Sequence, residues 1–142
     1  MESQKMKPAI KAQWVAALRS GKYQQTKGRL AVVEDGKPVA FCCLGVLCDL
    51  AVKAGAVKAD YSAPEAVYDD NYLSLPLKVS TWAGLGGASN PYVPFASVTE
   101  ERSMLAALND GTRVWDEEAQ NNIQAIRPHS FAEIADIIEE HL

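Results

Sequence analysis

The sequence predicts an α+β fold, mostly helical, with a small antiparallel β-hairpin or sheet, in a single compact domain over residues 1–142. Three observations carry that reading. Apolar residues recur every three or four positions in several separate stretches, which is the period of a helix with one buried face. One stretch, Arg29 to Phe41, has apolar runs on either side of an Asp-Gly pair, the pattern of a β-hairpin. Two Ser-x-x-Glu patterns, at Ser97 and Ser130, mark helix starts in the C-terminal half.

The elements follow in order. A first helix has Pro8 in its opening turn, Ile10, Trp14 and Leu18 on one face, and Gly21 as the residue that ends it. Strands at Arg29–Val33 and Val39–Phe41 flank the turn Glu34-Asp35-Gly36-Lys37. Pro38 has no N–H for a ladder, so the second strand is expected to be short or at an edge. In the next helix, of about three turns, Cys43, Leu47, Leu50, Ala51 and Ala54 share one face. Asp49 and Lys53 form an i,i+4 pair on the other, and Gly55 ends it. Residues 56–75 read mainly as surface loop. Ser74 is placed to cap a short helix through Ala83 that stops at Gly84. Gly84 to Phe95 is loop by its glycines and prolines. The helix opened by Ser97 carries Leu105 and Leu108 inward and ends near Asn109-Asp110-Gly111. For residues 113–126 the spacing of Trp115, Ala119, Ile123 and Ile126 fits a helix, with a strand or an ordered insertion as alternatives. The last helix places Phe131, Ile134, Ala135, Ile138 and Leu142 on one stripe.

Composition narrows the function classes. A chain of 142 residues buries roughly 70% of its unfolded surface, enough for a core without disulfides or a structural metal. A net charge of −4, with no block of lysines or arginines, argues against a nucleic-acid polymer as partner. The first residues lack the apolar centre of a signal peptide, and no apolar run reaches the ~18 residues of a membrane helix. A soluble protein of the cytoplasm is expected. Three cysteines, an odd number, suit a reducing compartment.

Those cysteines lie together in residues 41–50, FCCLGVLCDL. Structural zinc takes four converging ligands. Cys42 and Cys43 are adjacent, about 100° apart on a helix, and His129 and His141 are remote in sequence, so no metal site is expected. A thiolate at the helix start, with His129 as base, would be a nucleophile. The neighbours Phe41, Leu44, Val46 and Leu47 favour the other reading, that the thiols pack as small apolar groups in the core. The acidic runs Asp69-Asp70, Asp116-Glu117-Glu118 and Glu139-Glu140 read as solvated surface. Asn109-Asp110-Gly111 reads as a turn in preference to a ligand contact, and His129 as a surface residue beside a helix cap. Gly84-Leu85-Gly86-Gly87 lacks the context of a phosphate loop.

The segment from Trp82 to Phe95 sets aromatic rings among small residues. Trp82, Asn90 and Tyr92 are candidate ligand contacts there, since small-ligand pockets combine aromatic walls with a few placed polar groups. A flat base stacks on such a ring for about 1–3 kcal/mol. The competing reading is a long connection whose aromatics fill the core.

Three stretches together resemble a known group. WVAALRSGKYQQ (14–25), FCCLGVLCDL (41–50), and the closing LND (108–110) with FAEIADIIEEHL are similar to a family of short proteins encoded by bacteriophages and prophages. The likeness covers the first 55 residues and the last dozen, with residues 56–100 and 111–128 matching less clearly. It implies an accessory protein acting inside an infected bacterium. Among such proteins are sponges, which sequester nucleotide-derived immune signals such as cyclic ADP-ribose isomers or cyclic oligonucleotides. On that resemblance the expected function is non-enzymatic binding of a small nucleotide-like ligand, without a cofactor and as a homo-oligomer. Trp14, Arg19 and Tyr23, where the first helix runs out, would form one wall of the site. The alternatives are a protein–protein inhibitor of a host enzyme and, third, a cysteine-dependent enzyme.

Overall fold

A computed structural model describes residues 6–85, 105–118, 120–126 and 128–142. Its axis is helix α2 (Cys43–Lys53), in which residues 43–49 and Ala51 are buried. A helix with a mean composition this apolar stabilises the fold only by being covered on most of its circumference. Three other helices pack against it: α1 (Pro8–Arg19), α3 (Leu77–Ala83) and α4 (Leu105–Asp110). The last helix, α5 (Phe131–His141), lies along α1 and also touches α4. Trp14 and Leu18 of α1, Leu44 and Leu47 of α2, Val79, Leu108 and Ile134 meet in one core. Each fully buried side chain of that size contributes about 1.5–3 kcal/mol of transfer free energy.

The embedded position of α2 corrects two expectations. Asp49, assigned to an outer polar face, is buried, and Ala54, assigned to the apolar face, is exposed. Periodicity assumes one solvated side, and this helix has almost none.

Helix ends follow local chemistry. Gly21, just past the C-cap Ser20, takes the left-handed conformation (φ +75°) that glycine adopts without cost. Cys42 caps α2 with its own sulfur, which accepts from the Gly45 N–H at 3.4 Å. The expected capping box at α5 is complete: Ser130 Oγ accepts from Glu133 N, and Glu133 Oε1 accepts from Ser130 N. At α3 the N-cap is Pro76, not Ser74, because proline holds the extended backbone (φ −62°, ψ 150°) from which the helix starts. The helix expected from Ser97 is described only as α4; Ser97 itself and most of the 84–95 loop lie outside the described residues.

Strands pair in three two-stranded antiparallel sheets among the described residues. In the predicted hairpin, β1 (Ala31–Glu34) pairs with β2 (Lys37–Phe41), and Asp35 and Gly36 both take positive φ, as a tight two-residue turn requires. β2 includes Pro38, tolerated beside a register shift at Val32/Val33. Irregular backbone extends this hairpin on both sides. Ala66 N donates to Ala31 O on the β1 side, while Thr26 N donates to Phe41 O and Phe41 N to Gln24 O on the β2 side. Residues 56–75 are not loop throughout, since β3 (Ala59–Asp60) pairs with β4 (Val67–Tyr68). Of the alternatives for 113–126, the strand is realised: β5 (Thr112–Asp116) pairs with β6 (Asn121–Ile126).

The hairpin meets α2 at Gly45. A Cβ built there would stand 1.8 Å from Leu30 O, so only glycine admits this approach. No described helix is long and apolar enough to cross a membrane.

Candidate functional site

The two ends of α2 hold the chain's unusual polar groups. The three cysteines, Cys42 and Cys43 at the N-terminal end and Cys48 at the middle of the helix, are all buried and form no disulfide. Burial away from water pushes the Cys42 thiol up to about 11 and holds Cys43 and Cys48 well above the ordinary range. Cys43 Sγ points at Leu105 O, 3.6 Å away. A nucleophile needs the opposite: an accessible sulfur that ionises readily. These thiols fill the core.

Beside them sits Asn109, fully buried at the end of α4. Its Oδ1 accepts from Cys43 N (3.1 Å) and Gln25 Nε2 (2.8 Å), while its Nδ2 donates to Thr26 O (2.9 Å) and Asp110 Oδ1 (2.8 Å). One amide thus ties α4, the start of α2 and the segment after α1. It is neither the simple turn the sequence suggested nor a ligand contact. His129, expected at the surface, is buried; its N–H donates to Leu108 O and its carbonyl accepts from Gln25.

The C-terminal end of α2 differs. Phe41 holds the segment after α1 through its backbone bonds, and that anchoring brings Tyr23 against it, ring edge to ring face with centroids 5.0 Å apart. The Tyr23 hydroxyl donates to Asp49 Oδ2 at 2.5 Å. Lys53, one turn further along α2, reaches the same oxygen at 3.0 Å and the Tyr23 hydroxyl at 3.2 Å, with its ammonium 5.5 Å from the Tyr23 ring centre. Burial, then the bond to Asp49, raises the Tyr23 pKa, and the bond to Asp49 raises that of Lys53. Tyr23 therefore stays protonated and Lys53 charged.

This trio lines one wall of an open cavity of about 330 Å³, completed by Lys22, Pro38, Val39 and Phe41. Two ammonium groups and one carboxylate give the lining an excess of positive charge in a chain of net charge −4. Lys53 is two-thirds exposed, and Val39 is an exposed apolar side chain. A ring, apolar side chains and ammonium donors are the kinds of group that small-ligand pockets combine.

A second cleft, of about 540 Å³, runs along α1 and is lined by Pro8, Lys11, Ala12, Val15, Ala16, Arg19 and Glu139. Arg19 sits at its end with its guanidinium occupied. Nη2 donates to Asp136 (2.5 Å) and Nη1 to Glu139 (2.7 Å), both on α5.

Of the sequence-predicted contacts among the described residues, Tyr23 alone lines the cavity. Trp14 is fully buried and its indole N–H donates to Cys43 O at 2.9 Å, so it is a core residue and not a wall. Arg19 joins α1 to α5 in the other cleft, and does not face Tyr23 across a common site. Trp82 belongs to α3, half-buried against the core. Asn90 and Tyr92 lie outside the described residues. Sequence reasoning missed Lys22, Val39 and the role of Asp49 and Lys53. The i,i+4 spacing of the last two was visible, but only the fold brings Tyr23 to them. Among the described residues no group of three or more histidine, cysteine, aspartate or glutamate side chains is arranged to hold a metal ion.

A family comparison matches residues 6–142 to a domain of unknown function, DUF8296. No curated protein and no solved structure matches the chain.

Proposed function

The chain belongs to the DUF8296 family, and on that premise we propose that it is a phage-encoded protein that binds and sequesters a small nucleotide-derived signal in the infected cell, without turning it over. The observation that carries this reading is the cavity at Tyr23, where an aromatic ring and an apolar floor stand beside Lys22 and Lys53. A base and a phosphate are the two halves of a ligand such a lining suits. The burial of all three thiols weighs against a cysteine nucleophile. The resemblance of WVAALRSGKYQQ and FCCLGVLCDL to phage proteins supplies the setting.

The test is to mix the protein with a panel of cyclic oligonucleotides and cyclic ADP-ribose isomers, remove free ligand, denature, and identify what is released. Release of one compound, chemically intact and near stoichiometric, is expected. Release of an altered compound, or retention of none, overturns sequestration.

A second reading, an inhibitor that docks on a host enzyme, is favoured by the α1 cleft, whose walls include Ala12, Val15 and Ala16. A single stoichiometric host protein retained by the wild type, and lost when Ala12 and Ala16 are both replaced by glutamate, would select it.

A further inference from the structure

We infer that the cleft along α1 is closed by a second copy of this chain, with the two α1 helices antiparallel about a twofold axis at Val15. The inference is independent of the Tyr23 cavity and uses other residues.

The cleft, of about 540 Å³, has the buried Val15 in its lining, with Pro8, Ala12 and Ala16 exposed around it. These side chains are short, so another helix can approach at the close end of the usual interaxial range of about 8–10 Å. Charge decides which helix. Towards the C-terminal end of α1, Arg19 meets two carboxylates, Asp136 at 2.5 Å and Glu139 at 2.7 Å. One guanidinium against two carboxylates leaves that end with a negative excess, and both carboxylates stay well exposed, at 73% and 60%. Towards the other end, Lys11 lines the cleft and forms no ion pair among the described residues.

Lys11 and Arg19 stand four residues to either side of Val15, about 6 Å along the helix axis in each direction. A twofold axis makes a surface its own partner. Placed at Val15 between antiparallel helices, it sets each Lys11 level with the other copy's Arg19 and its two carboxylates. The apolar side chains then meet at the centre and opposite charges meet at both ends. A uniformly acidic partner would be repelled at the Arg19 end, and a uniformly basic one at the Lys11 end. A second copy satisfies both.

Sedimentation equilibrium of the whole chain over a dilution series should give a monomer–dimer equilibrium, the dimer having twice the mass of the 15.4 kDa chain. Ala16→Glu, at an exposed position and with an unchanged far-UV circular dichroism spectrum, should weaken the dimer about tenfold or more. Lys11→Glu sets like charges together and should weaken it as well. Combining Lys11→Glu with Glu139→Lys reverses both ends and should recover most of that loss. A wild type that is monomeric at every concentration overturns the inference. So does a dimer indifferent to Ala16→Glu, or a Lys11→Glu defect that Glu139→Lys leaves unrepaired. A monomer that instead holds a host protein through Ala12 and Ala16 overturns it in favour of the inhibitor reading.

Discussion

The two ends of α2 solve the same problem, a polar group beside an apolar helix, in opposite ways. At the start, Asn109 is neutral and buried, with both amide atoms used on two backbone groups, Cys43 N–H and Thr26 C=O, and on two side chains, Asp110 and the Gln25 amide held by His129 O. At the finish, Asp49 is a carboxylate near the rim, and its partners are a tyrosine hydroxyl and a lysine that reaches into solvent. The first arrangement is expensive to break, because an orphaned buried group loses water as well as its bond. The second is cheap, because water stands ready. A single helix thereby offers one rigid end, suited to holding the fold, and one adjustable end, suited to exchanging partners.

Substitutions grade that contrast. The largest effect is expected at Gly45, where alanine would drive a carbon into Leu30 O and push the hairpin off α2. Urea unfolding of Gly45→Ala should show a loss of about 3 kcal/mol or more. Asn109→Ala, which strands the Cys43 amide and the Thr26 carbonyl, should cost about 2–3 kcal/mol by the same measurement. If it costs less than about 1 kcal/mol, the N-terminal end is not the rigid one.

Next comes pH. Cys42 ionises near 11 in the folded chain, against an ordinary value of 9.0. A folded-state pKa above the unfolded one means stability is fully present below about pH 9. Above it the unfolded chain releases the proton first, and stability falls by about 1.4 kcal/mol per pH unit for that thiol. Denaturation midpoints at pH 8 and pH 10 should therefore differ, and Cys42→Ala should remove part of the difference. Native protein at pH 8 should also leave a thiol reagent unconsumed until it unfolds.

At the other end of the helix effects should be small. Tyr23→Phe deletes two partly solvated hydrogen bonds, one donated to Asp49 and one accepted from Lys53, and should cost about 1–2 kcal/mol. Lys53→Met should shift stability by about 0.5 kcal/mol at most. A loss above 2 kcal/mol for either would place this end with the first and remove its freedom to exchange.

How much of this was legible follows the same division. Local signals read well: the Asp35-Gly36 turn, the Ser130–Glu133 capping box and the apolar α5 stripe each depend on neighbours within a few positions. The interior placement of the cysteines was also legible, since Phe41, Leu44, Val46 and Leu47 surround them in sequence. Residues 113–126 were not, because their apolar spacing suits a helix as well as a strand, and pairing across Glu117–Gln120 settles it. The candidate site was legible only as Tyr23. Its partners stand 26 and 30 positions away, and no short-range pattern connects them. Trp14 misled for a related reason: an aromatic that opens a motif looks available until Cys43 O is found accepting its N–H.

The contact of Arg19 with Asp136 and Glu139 brings together positions 117 and 120 apart along the chain. On a ribosome, α1 emerges long before its lateral neighbour has been made. Ile10, Val15 and Leu18 must then wait, uncovered or shielded by a chaperone, until α5 is released. Closure of this domain is accordingly a late event, completed once translation has passed its final helix.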